Sequence, residues 1–197
     1  TAVSTFDPQA SDADLVHRAK ACELFNHAGS DLSRFTAPPN ARVQSTQTTL
    51  ALAPNATGKI FQTDTGGRIV GLRISPASAL GGKARDLLLK VSFDGEPTAV
   101  LCPLGDFFGY AWGQPAMESL LVGTTGEANY CYLPMPFDRA AVVEVVSERA
   151  TPVELRAEVL HASVPRVANE GKFYALWRRE NPTKMGEPFT FIDTEGR

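Results

Sequence analysis

Asp106, Glu118 and Glu127 are the three acids of a stretch, Val100 to Phe137, that reads VLCPLGDFFGYAWGQPAMESLLVGTTGEANYCYLPMPF. Around them stand Phe107, Phe108, Tyr110, Trp112, Tyr130 and Tyr132, on turns rich in Gly and Pro. This is the composition that a sugar-binding cleft requires. An aromatic face covers the apolar face of a sugar, and carboxylates and amides fix its hydroxyls. The candidate substrate-binding residues are therefore Asp106, Phe107, Phe108, Trp112, Glu127 and Asn129. In this reading Asp106, Glu127 and Asn129 exchange hydrogen bonds with hydroxyls, and Phe108 and Trp112 stack on or shape the cleft. Two carboxylates about 5 Å apart suit a retaining glycosidase and a wider pair an inverting one, a distance that spacing along the chain does not supply. The competing reading makes the aromatics a plug at the end of a β-sandwich and Asp106 a turn-capping acid.

Other chemistries find little support. The three cysteines, Cys22, Cys102 and Cys131, are odd in number and form no CxxC, which argues against a disulfide framework or a zinc site. His17, His27 and His161 fall in no metal-ligand pattern. Neither a phosphate-binding loop nor a GxSxG elbow occurs, so neither cofactor nor metal is expected. Arg178-Arg179-Glu180 reads first as a solvated strand end, with an oxygen-ligand contact as the alternative. The 197 residues carry a net charge of −3 with no basic block, which disfavours nucleic acid, and the apolar runs are too short to span a membrane.

The elements that must position these residues are mostly strands. The first ten residues read as an arm. Ser11 or Asp12 caps a helix in which Leu15, Ala19, Cys22 and Phe25 recur at helical spacing, and Gly29 ends it. That helix is expected to pack on the main body or on a neighbouring subunit. Ser30 to Asn40, with Pro38-Pro39, reads as a linker or strap. From Ala41 the pattern turns to β: strands are expected over 42–52, 59–63, 68–74, 86–93, 98–102, 140–147, 153–161, 173–178 and 189–193, with Asp94-Gly95 as a hairpin turn. The absence of a βαβ rhythm disfavours doubly wound and barrel α/β folds. The expected fold is an all-β jelly-roll sandwich with one N-terminal α-helix, divided into residues 1–40 (arm, helix and linker) and 41–197 (jelly roll).

Three segments carry a resemblance: PLGDFFG (Pro103 to Gly109), YCYLPMPF (Tyr130 to Phe137) and WRRENPT…GEPFTFIDTEGR (Trp177 to Arg197), with the FDGEP turn at Phe93 to Pro97. They resemble the signature blocks of the DUF2961 family, which includes the GH172 glycoside hydrolases acting on α-D-fructofuranosides and D-arabinofuranosides. The resemblance covers roughly Gly67 to Arg197. It implies two jelly rolls in one chain, of which this sequence is the first, and assembly into trimers or hexamers with a capsid-like architecture. The family's two catalytic Glu sit in motifs resembling W-x-G-E-G-D and G-T-G-T-E-D-Y-F, and neither occurs here. Both belong beyond Arg197, so no catalytic residue is assigned. The expected partners are a carbohydrate substrate, a complementary C-terminal half or second chain, and further copies of the chain. Two other classes stand beside this one: a non-catalytic carbohydrate-binding jelly roll and a capsid-like assembly protein.

Overall fold

The computed structural model describes residues 9, 11–96 and 98–192. Most of the expected arm, Pro97 and the stretch from Asp193 onward lie outside them. Helix α1 (Asp12–Phe25) begins at a capping box: the Ser11 hydroxyl accepts from the Asp14 amide, and the Asp14 carboxylate accepts from the Ser11 amide. A short helix α2 (Ser33–Thr36) follows, and then the strands: β1 (Gln44–Leu52), β2 (Thr57–Thr63), β3 (Gly67–Ser75), β4 (Leu87–Phe93) and β5 (Val100–Pro103). Next come helix α3 (Leu104–Phe107) and a small hairpin of β6 (Tyr110–Ala111) and β7 (Gln114–Pro115). The chain continues through β8 (Val122–Thr124), β9 (Asn129–Cys131), β10 (Met135–Phe137), β11 (Ala141–Ser147), β12 (Val153–Ala162) and β13 (Ala175–Leu176).

One sheet has the order β1-β12-β3-β9-β8, with β10 also paired to β3, and the other has the order β13-β5-β4-β11-β2. The chain alternates between the sheets as β1, β2, β3 and β4, then returns through β11 and β12. The outermost strands of this path pair, β1 with β12 and β2 with β11. That is a long hairpin rolled into a sandwich, the jelly roll. Strict alternation drives it. In β4, Leu87, Leu89, Val91 and Phe93 face inward, and in β11, Ala141, Val143 and Val145 do the same. Phe93 and Phe137 stack in this core with centroids 5.9 Å apart.

The expected linker is not a loose connection. Leu32 from the strap packs with Val70, Tyr130, Tyr132 and Leu160 into a second small core on the outer face of the first sheet. Helix α1 does not pack on the main body, since none of its residues is buried. Leu15, Ala19 and Cys22 do share a side, but Ala and Cys bury little area, and Val16 and Phe25 lie to either side of that stripe. The exposed Cys22 contrasts with buried Cys102 and Cys131, whose thiols burial pushes up to about 12. Thiol titration of the native chain with a disulfide reagent is therefore expected to count Cys22 alone, and all three after denaturation. Rapid reaction of a second thiol in the native chain would contradict this packing.

After β12 the chain doubles back and is pinned by two ionic knots. Arg68, 6 % exposed, donates to the carbonyls of Val164 and Pro165 and forks onto Glu170 at 2.6 and 3.0 Å. Lys172 lies 2.7 Å from Glu96 and 3.1 Å from Asp94, and the Tyr174 hydroxyl donates to Glu96 at 2.7 Å. The expected strand over 173–178 shrinks to Ala175–Leu176, which adds in parallel to the edge of β5. The strand expected over 189–193 does not form across 189–192. Phe191 and Ile192 are 76 % and 64 % exposed, and a strand without a ladder partner has no hydrogen bonds to hold it.

Candidate functional site

The β5–α3 junction sorts the PLGDFFG residues by direction. Leu104 and Phe108 point into the core and are fully buried, while Asp106 and Phe107 turn toward the surface. Phe107 meets Phe108 edge-on at 5.1 Å and Phe173 at 6.4 Å. Arg85 donates through Nε to both Asp106 oxygens, at 2.9 and 3.2 Å. The same guanidinium lies over the Trp177 ring, 5.8 Å from its centroid. Trp177 is held there by its amide, which donates to the Leu101 carbonyl as β13 lies along β5. The result is an open groove of about 290 Å³ lined by Asp106, Phe107, Phe173, Leu176 and Trp177, with Cys131 and Leu133 at its base. Among the described residues, Asp106 is the one carboxylate in its lining. The groove offers aromatic faces and one carboxylate, with the Arg85 guanidinium behind them, bound to Asp106 and Trp177, a set suited to holding a sugar. It does not hold the two carboxylates that glycoside cleavage calls for.

The six expected residues do not converge on this groove. Asp106 and Phe107 line it. Phe108 has no exposed surface to offer a ligand and belongs to the core. Asn129 is likewise fully buried, donating through its side-chain amide to the Ile74 carbonyl, while its Oδ1 has no partner among the described residues. Glu127 is exposed at the turn between β8 and β9 and lines a separate hollow with Arg73, Ser75 and Arg156.

Trp112 sits at the tip of the β6–β7 hairpin and is 80 % exposed. Its φ is +56° and that of Gly113 is +80°, the left-handed pair that a tight hairpin needs. Gly113 is required twice over, since a Cβ there would lie 2.4 Å from the Gly82 carbonyl group. A large aromatic in the left-handed conformation and in water is the costly choice for a turn, which is an argument for contact at this tip.

Trp177 and Phe173 complete the groove, Arg85 supports it through Asp106 and Trp177, and none of the three was among the expected site residues. Trp177 opens the WRREN block, a signal that marked the segment without saying where it folds. Nothing in the local sequence around Arg85 points to Asp106.

Among the described residues no group of His, Cys, Asp and Glu could hold a metal ion, and no helix is long and apolar enough to cross a membrane. The family described as GH172 domain-like matches residues 42–159, the span from just before β1 into β12. No match was found among curated proteins. Among solved structures, the Cyanophage Pam1 capsid asymmetric unit is similar at 12 % identity, covering 64 % of this chain and 90 % of that chain, with a TM-score of 0.33.

Proposed function

This chain belongs to the GH172 domain-like family, and we propose on that premise that it forms one wall of the sugar site of a glycosidase acting on fructo- or arabinofuranosyl bonds. Membership in the family relates the chain to glycoside hydrolases. The furanosidic substrate is the finer step. The observation that carries it is the groove in which Trp177, Phe107 and the Arg85–Asp106 pair meet. A furanose offers a small apolar ring face with hydroxyls around it. Trp177 and Phe107 serve the first, and the free lone pairs of Asp106 and the remaining N–H groups of Arg85 serve the second. Because Asp106 is ion-paired and stands alone, this wall binds and orients. The two carboxylates of a retaining mechanism, one as nucleophile and one as acid/base, come from a complementary half or second chain. Assembly of several copies, as trimers or hexamers, belongs to the same proposal.

Trp177→Ala is expected to weaken binding of methyl α-D-arabinofuranoside or a difructose anhydride about tenfold, measured by calorimetry on this chain, with its thermal stability nearly unchanged. In the complete gene product the same change raises KM for p-nitrophenyl α-D-arabinofuranoside more than it lowers kcat, since a wall residue contributes binding shared by substrate and transition state. Unchanged affinity for every furanoside tested would refute the assignment of the groove.

A further inference from the structure

The outer face of the first sheet is only half covered. The strap and Leu120-Leu121 close one half over Tyr130 and Tyr132. The other half is an open trough. Two hollows of about 320 and 630 Å³ run together there, sharing Arg73, Ser75, Ala128 and Arg156. This trough has no lining residue in common with the aromatic groove.

Its floor is laid out by strand register. Gln47, Glu158 and Arg73 stand side by side across β1, β12 and β3, and Thr49, Arg156 and Ser75 form the next row. Along β12 the outward side chains run Glu154, Arg156, Glu158, so acceptors and donors alternate in both directions. Glu158 accepts from Ser45 at 2.8 Å and Gln47 at 3.2 Å and faces Arg73 at 3.9 Å. Arg156 has no hydrogen bond or ion pair among the described residues, so its donors face the trough unused. Beside this floor the Tyr132 hydroxyl, fully enclosed, has no hydrogen-bond partner among the described residues, and both Arg73 and Glu158 lie close enough to act on it electrostatically.

We propose that this trough is a second carbohydrate site, which holds a neutral segment of an oligosaccharide chain apart from the aromatic groove. The alternation selects the ligand class. Each sugar hydroxyl both donates and accepts, so vicinal hydroxyls match a checkerboard of guanidinium and carboxylate groups. An anion drawn to Arg156 would meet Glu154 and Glu158 on either side, and a cation drawn to those acids would meet Arg156 and Arg73. Among the described residues no aromatic side chain lines the trough, so recognition is through hydroxyl edges rather than ring faces. It crosses three strands about 4.8 Å apart, a width that suits a run of sugar units rather than one ring. The proposal takes carbohydrate as the ligand from the reading of the family and adds a separate place of binding.

Affinity electrophoresis of this chain through gels containing arabinan or levan tests it. The wild type is expected to be retarded by at least one polymer. Arg156→Ala and Thr49→Val, both at exposed positions that folding does not depend on, are expected to weaken that retardation about tenfold for the first and severalfold for the second. Trp177→Ala is expected to leave most of it, and raising the salt concentration to change it little, because the ligand is neutral. Retention of binding within about twofold in Arg156→Ala, or steep loss with salt, overturns the proposal. If neither polymer retards the chain but methyl α-D-arabinofuranoside still binds at the Trp177 groove, the trough proposal falls and the proposed function stands. If no furanoside binds anywhere, both fall.

Discussion

Phe108→Ala is expected to destabilise the chain by about 3–5 kcal/mol, the largest effect of any single change considered for this protein. Phe108 is fully buried where β5, α3 and the β6–β7 hairpin converge, with Leu104 and Tyr110 beside it in the same core. Truncation there removes the transfer free energy of a phenyl ring and leaves a cavity that two strands and a helical turn hold open. The change also takes the support from under Phe107, which rests edge-on against Phe108. Furanoside binding at the groove should therefore weaken along with stability, although Phe108 touches no ligand. Urea denaturation measures the first effect and calorimetry the second. Phe108→Leu, which refills most of the volume, should recover more than half of the stability. A loss below about 1 kcal/mol in Phe108→Ala would mean that this end of the sandwich is not packed as described.

Asp94→Asn is expected to cost about 2 kcal/mol near neutral pH and nearly nothing in strong acid. Asp94 occupies the hairpin turn after β4 with φ +58°, followed by Gly95 at +88°. Burial by itself would raise the Asp94 pKa, but this is outweighed by the amides of Arg139, Asp138 and Ala140 and by Lys172, so the carboxyl is lowered from 3.8 to about 2. A folded-state value below the unfolded one means that the ionised form stabilises the fold. The contribution is complete above about pH 5, shrinks as pH falls below 3.8, and is lost as pH falls through about 2. At about 1.4 kcal/mol per pKa unit, the shift amounts to about 2 kcal/mol. Glu170, lowered by its hydrogen bonds from Arg68 against the opposing pull of burial, titrates in the same sense and adds to the acid loss. Melting temperatures of wild type and Asp94→Asn should thus differ at neutral pH and converge as the solution is acidified. A gap that persists in acid would show that the turn's contribution is steric and not ionic.

The Asp94 cluster also clarifies the resemblance of the FDGEP turn. Asp94 and Glu96 hold Lys172 and Tyr174, and through them the tail that delivers Trp177 to β5. An acid-rich signature at this turn is therefore a structural lock that contributes no residue to the groove itself. This is a chemical role that motif matching alone would have passed over, because its partners lie some 80 residues further along the chain.

Local chemistry alone was enough to read the long elements of this protein. Alternation over 86–93, 140–147 and 153–161, the Asp-Gly hairpin and the Ser11 cap each depend on neighbours a few residues apart, and the structure places β4, β11, β12, the turn and the start of α1 within a residue or two of those readings, while α1 ends at Phe25, short of the stop read at Gly29. The same economy explains the misses. β8, β9 and β10 are three residues each, too short for a period to register, and they exist because β3 lies alongside to pair with β9 and β10. Phe189 to Ile192 has the composition of a strand but no strand beside it among the described residues, so it forms no ladder and stays exposed.

The aromatic stretch from Val100 to Phe137 shows the limit most plainly. Composition identified its residues as the chemically interesting ones and could not sort them. Phe108 and Asn129 went to the interior, Trp112 to a hairpin tip, Glu127 to the far face of the first sheet, and only Asp106 and Phe107 to the groove. Which way each side chain points is decided by the pairing of whole strands. Trp177, which lines the groove, and Arg85, which braces it, arrive from a returning tail and a loop whose positions are set by contacts remote in sequence. Residue types and their spacing specified the strands and the kind of chemistry on offer. The packing of the two sheets and the tail chose where that chemistry is displayed, because burial and strand pairing are properties of the assembled sandwich and of no segment within it.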